Sequence, residues 1–145
     1  MGKERICYRK LTNYKYQTRE DYCIETDLKP RESITTRFII LSGDGKLTIN
    51  QHYAWDGPSG PTIDTKNFMR GSLVHDALYQ LLRGNHFPSS HEETRKYADQ
   101  LLKEICREDG MSKFRAWYVY LAVRLFAKGA AKVGSDTSSQ ILYAP

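Results

Sequence analysis

An α+β fold is predicted, with a small N-terminal antiparallel sheet followed by three helices, the first two forming an antiparallel pair. Three observations predict it. The first 55 residues hold short β-branched and aromatic-rich runs separated by turn signals, and one of these runs, 46–55, alternates apolar and polar residues. After residue 65 the apolar residues recur instead at helical spacing. Between the two regimes lies a loop whose Gly57, Pro58, Gly60 and Pro61 suit neither a helix nor a regular strand. Strands that all come before the helices give α+β rather than an alternating parallel fold. A chain of 145 residues is expected to be one domain. It is divided into strands over 1–55, the loop over 56–65, helices over 66–132 and a polar tail over 133–145.

The strand elements are "DYCIETDL" (21–28), "TTRFIILS" (35–42) and "KLTINQHYAW" (46–55), with "SGDG" (42–45) as a turn. The first helix is expected from Asp64 or Thr65, as N-cap, to Arg83, where "GN" ends it. The second runs from Ser90 to Glu108, with Ser90 and Glu93 in capping-box spacing and Gly110 closing it. The third covers Ser112 to Lys132. It carries Phe114, Trp117, Tyr118, Leu121 and Leu125 on one stripe, which is either a core-packing face or an interfacial surface.

Composition narrows the function classes. No apolar run reaches the roughly 18 to 20 residues of a membrane span, and the N-terminus lacks the apolar core of a signal peptide. Cys7, Cys23 and Cys106 have no zinc-ligand spacing and are expected to be free, partly buried thiols in a reducing compartment. The net charge of +5 equals the charge of 111–134, where Lys113, Arg115, Arg124, Lys128 and Lys132 meet no acid. Such a basic segment suits an anionic membrane surface, nucleic acid or an acidic protein. It is also what the solvated side of an ordinary helix looks like. No nucleic-acid-binding module is recognisable, so nucleic acid is not expected as the partner.

One pair of residues needs a chemical reason. Gly71, His75, Leu78, Tyr79 and Leu82 share a face of the first helix, so His75 falls in an apolar stripe with Asp76 beside it. On the second helix Ala98, Asp99, Leu102, Ile105 and Cys106 make the matching stripe. An inward carboxylate there must be paired or hydrogen-bonded. The short connection "GNHFPSS" makes the helices antiparallel and places His75 and Asp99 about equally far from it. A carboxylate holding one imidazole nitrogen leaves the other free as a general base for water. The same residues would equally serve as a structural hydrogen-bond network, and Asp99 has Arg95 and Arg70 as alternative partners. His52, His86 and His91 show no ligand spacing and are taken as surface or loop residues. Carbonyls of the glycine loop together with Asp76 suit a hard cation such as calcium.

Two resemblances attach to these residues. "YAWDGPSGPTIDT", "SLVHDALYQLLR", "RKYADQLL" and "AWYVYLAVRLF" resemble an uncharacterised family of bacteriophage and prophage proteins, from Tyr53 onward. The ordered set "GPSG" (57–60), "HDALY" (75–79) and "AD" (98–99) is similar to the phospholipase A2 pattern, especially its short form in parvovirus capsid proteins. That resemblance implies His75 as general base, Asp99 and Tyr79 orienting its ring, and Asp76 as a calcium ligand. Backbone carbonyls of Trp55, Gly57 and Gly60 would complete the calcium shell. The half-cystines of the secreted enzymes are missing, as in the viral form. The spacing from loop to histidine differs, and Asp56 adds an acid to the loop. Two functions are therefore expected in parallel. One is a calcium-assisted lipid-ester hydrolase that meets phospholipid through helix 111–132. The other is a non-enzymatic virion component bound to other phage virion proteins, or a host-interaction protein, located in the virion or the host cytoplasm.

Overall fold

The computed structural model describes residues 5–11, 15–56 and 65–134. Within them, antiparallel strands precede three helices, as the order of sequence patterns predicts. Strands β1 (Tyr8–Lys10), β2 (Lys15–Thr18) and β7 (Ala54–Asp56) form one sheet in the order β1-β2-β7. Strands β3 (Tyr22–Glu25), β4 (Ile34–Thr35), β5 (Ile39–Leu41) and β6 (Lys46–Ile49) form a second, ordered β3-β6-β5-β4. The β5–β6 register pairs Ile39 with Ile49 and Leu41 with Leu47, so the period-two pattern delivers all four side chains to the buried face. The "SGDG" turn joins these strands. Gly45 sits there at φ +99°, and a Cβ would lie 2.3 Å from the Thr26 carbonyl oxygen.

The strand expected over 46–55 is broken. His52 takes φ 75°, and the chain crosses from one sheet to the other. The break is held by Thr18, far away in sequence. Its amide donates to the Tyr53 carbonyl, its carbonyl accepts from the His52 amide, and its hydroxyl bonds the Asn50 carbonyl and accepts from the Tyr53 amide. Strands β1 and β2 were not anticipated, being short, charged and half exposed.

Helix α1 (Lys66–Arg83) starts after Thr65, which occupies the N-cap position without a side-chain cap bond; its hydroxyl accepts from Arg115 Nη1 at 3.0 Å instead. The helix ends at "GN", but Asn85 and not Gly84 takes the left-handed conformation, at φ 60°. Buried residues surround α1 on nearly every side, so it is a central helix between sheet and helices rather than one with a single apolar stripe. Helix α2 (His91–Glu108) begins after Ser90 without the expected capping box. The Ser90 hydroxyl instead lies 3.4 Å from that of Thr94. Gly110, at φ +100°, closes α2 as expected.

Helices α1 and α2 run antiparallel. Arg70 meets Glu108 and Asp109, while Tyr79 meets Asp99. They approach closely at Gly71, where an added Cβ would lie 3.0 Å from Cys106 Sγ and Leu102 Cδ1.

Helix α3 (Lys113–Phe126) is shorter than expected and gives way to a 3₁₀ turn at Lys128–Ala131. Tertiary bonds stop it: Arg95 Nη2 donates to the carbonyls of Val123 (3.1 Å) and Arg124 (2.9 Å). His91 and Arg83 then hold the turn through the carbonyls of Ala131 and Ala130. Only Ala116 and Val119 of α3 are buried, so the aromatic stripe is not a core face. The cysteines are free: Cys106 is buried, Cys23 half-buried and Cys7 exposed rather than partly buried. No helix among the described residues is long and apolar enough to cross a membrane.

Candidate functional site

Asp99 lies at the middle of α2 with no exposed side-chain surface, so its charge must be met within the protein. Three donors from two other helices meet it. Oδ1 lies 2.7 Å from His75 Nε2 and accepts from the Tyr79 hydroxyl at 2.7 Å. Oδ2 accepts from Arg124 Nη1 at 2.9 Å. His75 and Tyr79 are one turn apart on α1, and their rings stack at 4.1 Å between centroids. The expected facing of His75 and Asp99 is therefore present. The third member is Arg124, not Arg95 or Arg70.

Arg124 extends the network outward, because its Nη2 also donates to Glu92 Oε1 at 2.6 Å. Glu92 in turn accepts from Arg95 at 3.1 Å. Arg70, the other partner considered for Asp99, instead binds Glu108, Asp109 and the Tyr22 hydroxyl.

Electrostatics fixes the protonation pattern. Burial pushes the Asp99 carboxyl up, but hydrogen bonding and charge from His75, then the Tyr79 and Arg124 bonds, outweigh it and hold the group below its ordinary value. Burial and then Asp99 push the Tyr79 phenol up, so it stays a donor. An ionised Asp99 only accepts, and His75 Nε2 must therefore carry the proton it shares with Oδ1. In the neutral ring that donation leaves Nδ1 with its lone pair. Among the described residues Nδ1 has no hydrogen-bond partner, and 13 % of the His75 side chain is exposed. An imidazole anchored through Nε2 and open at Nδ1 has the geometry of a general base.

Asp76 turns away from this triad. Its Oδ2 lies 3.0 Å from the Tyr53 hydroxyl, which is also 3.0 Å from Gln80 Oε1. Burial raises the Asp76 carboxyl above its ordinary value, against the pull of Arg83 and the Tyr53 bond, and Asp56 adds to the rise. Such a carboxylate, with a second acid near, gains from a cation. The Trp55 side chain is a core anchor, buried and donating from Nε1 to Ser72 Oγ at 3.1 Å. Gly57 and Gly60, the other residues assigned to a calcium shell, lie outside the described residues. Among the described residues no cluster of three or more His, Cys, Asp or Glu side chains could hold a metal ion.

The remaining histidines sit apart from the site. His52 is in the β6–β7 turn, His86 follows α1, and His91 opens α2, bonding the Ala131 carbonyl at 2.7 Å. Sequence reasoning missed Arg124 and Tyr53. The signal for Arg124 was a lone charge inside "LAVRLF" on a helix. For Tyr53 it was the alternation that puts it on the buried face with Trp55.

A family model described as "Protein of unknown function (DUF1353)" matches residues 48–123, just over half of the chain. The matched span takes in Tyr53, Trp55, the glycine loop, His75, Asp76, Tyr79 and Asp99, and stops one residue short of Arg124. Searches of curated proteins and of solved structures each returned no match. The chain belongs to the DUF1353 family.

Proposed function

We propose that this DUF1353 member is a hydrolase of lipid esters, of phage or prophage origin, in which His75 activates water. The observation that carries the reading is the His75–Asp99 contact at 2.7 Å, with Nδ1 free of any described partner. The order of motifs resembling phospholipase A2 supports the same chemistry.

In this mechanism His75 Nδ1 takes a proton from water as the oxygen attacks the ester carbonyl carbon. The carbonyl π pair moves onto oxygen, giving a tetrahedral oxyanion. As that intermediate collapses, the alkoxide leaves and collects the proton from the imidazolium, yielding fatty acid and alcohol. Asp99 stabilises the imidazolium and fixes the ring, while Tyr79 and Arg124 keep Asp99 ionised and in place. Asp76 and the carbonyls of Trp55, Gly57 and Gly60 would hold calcium. Bound there, it would supply positive charge to the oxyanion.

The test is fatty-acid release from anionic phospholipid vesicles with and without calcium. Wild type should release fatty acid in a calcium-dependent way, and His75→Ala should lower the rate about 10²- to 10⁴-fold. Absence of release by folded wild type would refute the reading.

A second reading is favoured by the Arg95–Glu92–Arg124–Asp99 chain of ion pairs. It ties α2 to α3 and suits a virion or host-interaction protein in which the histidine network is structural. In that case His75→Ala changes the melting temperature of a protein that never releases fatty acid.

A further inference from the structure

We propose that the solvent face of α3 is a docking surface for an anionic lipid bilayer. At about 100° per residue, Phe114, Trp117, Tyr118 and Leu125 fall within one arc of roughly 100°. The buried Ala116 and Val119, with half-buried Val123, lie on the opposite side. Most of the stripe is turned outward: Phe114 is 76 % exposed, Trp117 51 %, Tyr118 54 % and Leu125 71 %, while Leu121 in its middle is half-buried. Phe126 is 84 % exposed as well, but it lies off this face, at the C-terminal end of the helix. So many large apolar side chains on one helix face mark an interaction site rather than scattered surface residues.

The charges around the stripe select the partner. At its start Lys103, Arg107 and Lys113 line a groove of about 720 Å³ with Phe114 and Trp117. At its far end Lys128 and Lys132 are exposed. No acid occurs from 111 to 134. A second copy of the chain fits poorly, because a two-fold contact would set this patch against itself and bring like charges together. An anionic bilayer complements both parts: aromatic side chains enter the headgroup region and the flanking lysines meet phosphate.

This surface gives the lipid-ester reading its partner and rests on that reading for its purpose. Its test does not require catalysis. Vesicles of diether phosphatidylcholine mixed with diether phosphatidylglycerol contain no ester to cleave. The chain has two tryptophans, and Trp55 is only 2 % exposed, so an emission shift on vesicle addition reports Trp117. Wild type and His75→Ala should both shift to the blue and sediment with these vesicles, less so as salt rises. The double substitution Phe114→Ser, Leu125→Ser should partition at least about tenfold more weakly. Lys113→Glu with Lys128→Glu should remove the preference for anionic over purely zwitterionic vesicles. All these side chains are exposed, so thermal melting should stay near wild type.

The proposal is overturned if wild type stays in the supernatant with unshifted emission, or if the Phe114/Leu125 variant binds like wild type. It is also overturned if wild type self-associates without lipid through a contact that Phe114→Ser abolishes. Docking without fatty-acid release in the ester assay would leave this surface standing and refute the hydrolase. Release of fatty acid from soluble short-chain esters without docking would do the reverse.

Discussion

Asp99, fully buried, and Asp76, half-buried, sit on facing helices and are pushed in opposite directions, and that contrast yields two tests. The Asp99 carboxyl is held below its ordinary 3.8 because its ionised form takes bonds from His75, Tyr79 and Arg124 against the cost of burial. Its contribution to stability is therefore present above the unfolded-state value and lost as pH falls through the lower folded value. Asp99→Asn should cost about 3 kcal/mol at neutral pH, since it removes the buried charge that His75, Tyr79 and Arg124 all meet, and the difference should shrink in acid. Chemical denaturation across pH 2 to 7 reads this out, and a pH-independent difference would contradict it. The Asp76 carboxyl is raised, mainly by burial. Its ionisation therefore weakens the fold as pH rises through the folded value, and Asp76→Asn should raise the melting temperature at neutral pH but not in acid. If Asp76 holds calcium, the ion should raise the melting temperature of wild type and leave Asp76→Asn unmoved. Equal shifts in both proteins would remove Asp76 from the metal site.

At the scale of elements, the α1–α2 crossing and the end of α3 decide whether the site forms. Gly71 lets the helices close to the distance at which His75 reaches Asp99, with Cys106 and Leu102 already at 3.0 Å from where a Cβ would be. Gly71→Leu should cost about 3 kcal/mol or more by overpacking, and should abolish His75-dependent activity before the fold is lost. Arg95 is almost fully buried and takes the last carbonyls of α3, where a cation also complements the helix dipole. Arg95→Met should loosen the last turn of α3 and release Arg124 from Asp99. Amide exchange at 123–127 should rise above wild type, with the centre of α1 unchanged. Unaltered exchange there would mean that α3 ends for another reason.

Taken as a whole molecule, the helical half was more legible than the sheet half. The bounds of α1 and α2 and the facing of His75 and Asp99 follow from 3.6-residue periodicity and a short connection, which are local properties of the chain. The split between β6 and β7 was not legible, because Thr18, more than thirty residues away, takes the hydrogen bonds of 50–53. The early end of α3 escaped for the same reason, since Arg95 and His91 act on it from α2.

By itself the sequence determined the fold class and the order of elements, and it offered His75 as one candidate partner for Asp99. Each depends on patterning within a helix or across a single turn. Tertiary structure alone decided that Arg124 grips the second oxygen of Asp99, that Asp76 turns to Tyr53, and that the aromatic stripe of α3 faces solvent. These are choices among partners distant in the chain, and they are made by which buried polar groups lie within reach once the helices have packed. A helical periodicity marks a stripe as apolar; only the arrangement of the neighbouring elements determines whether anything covers it.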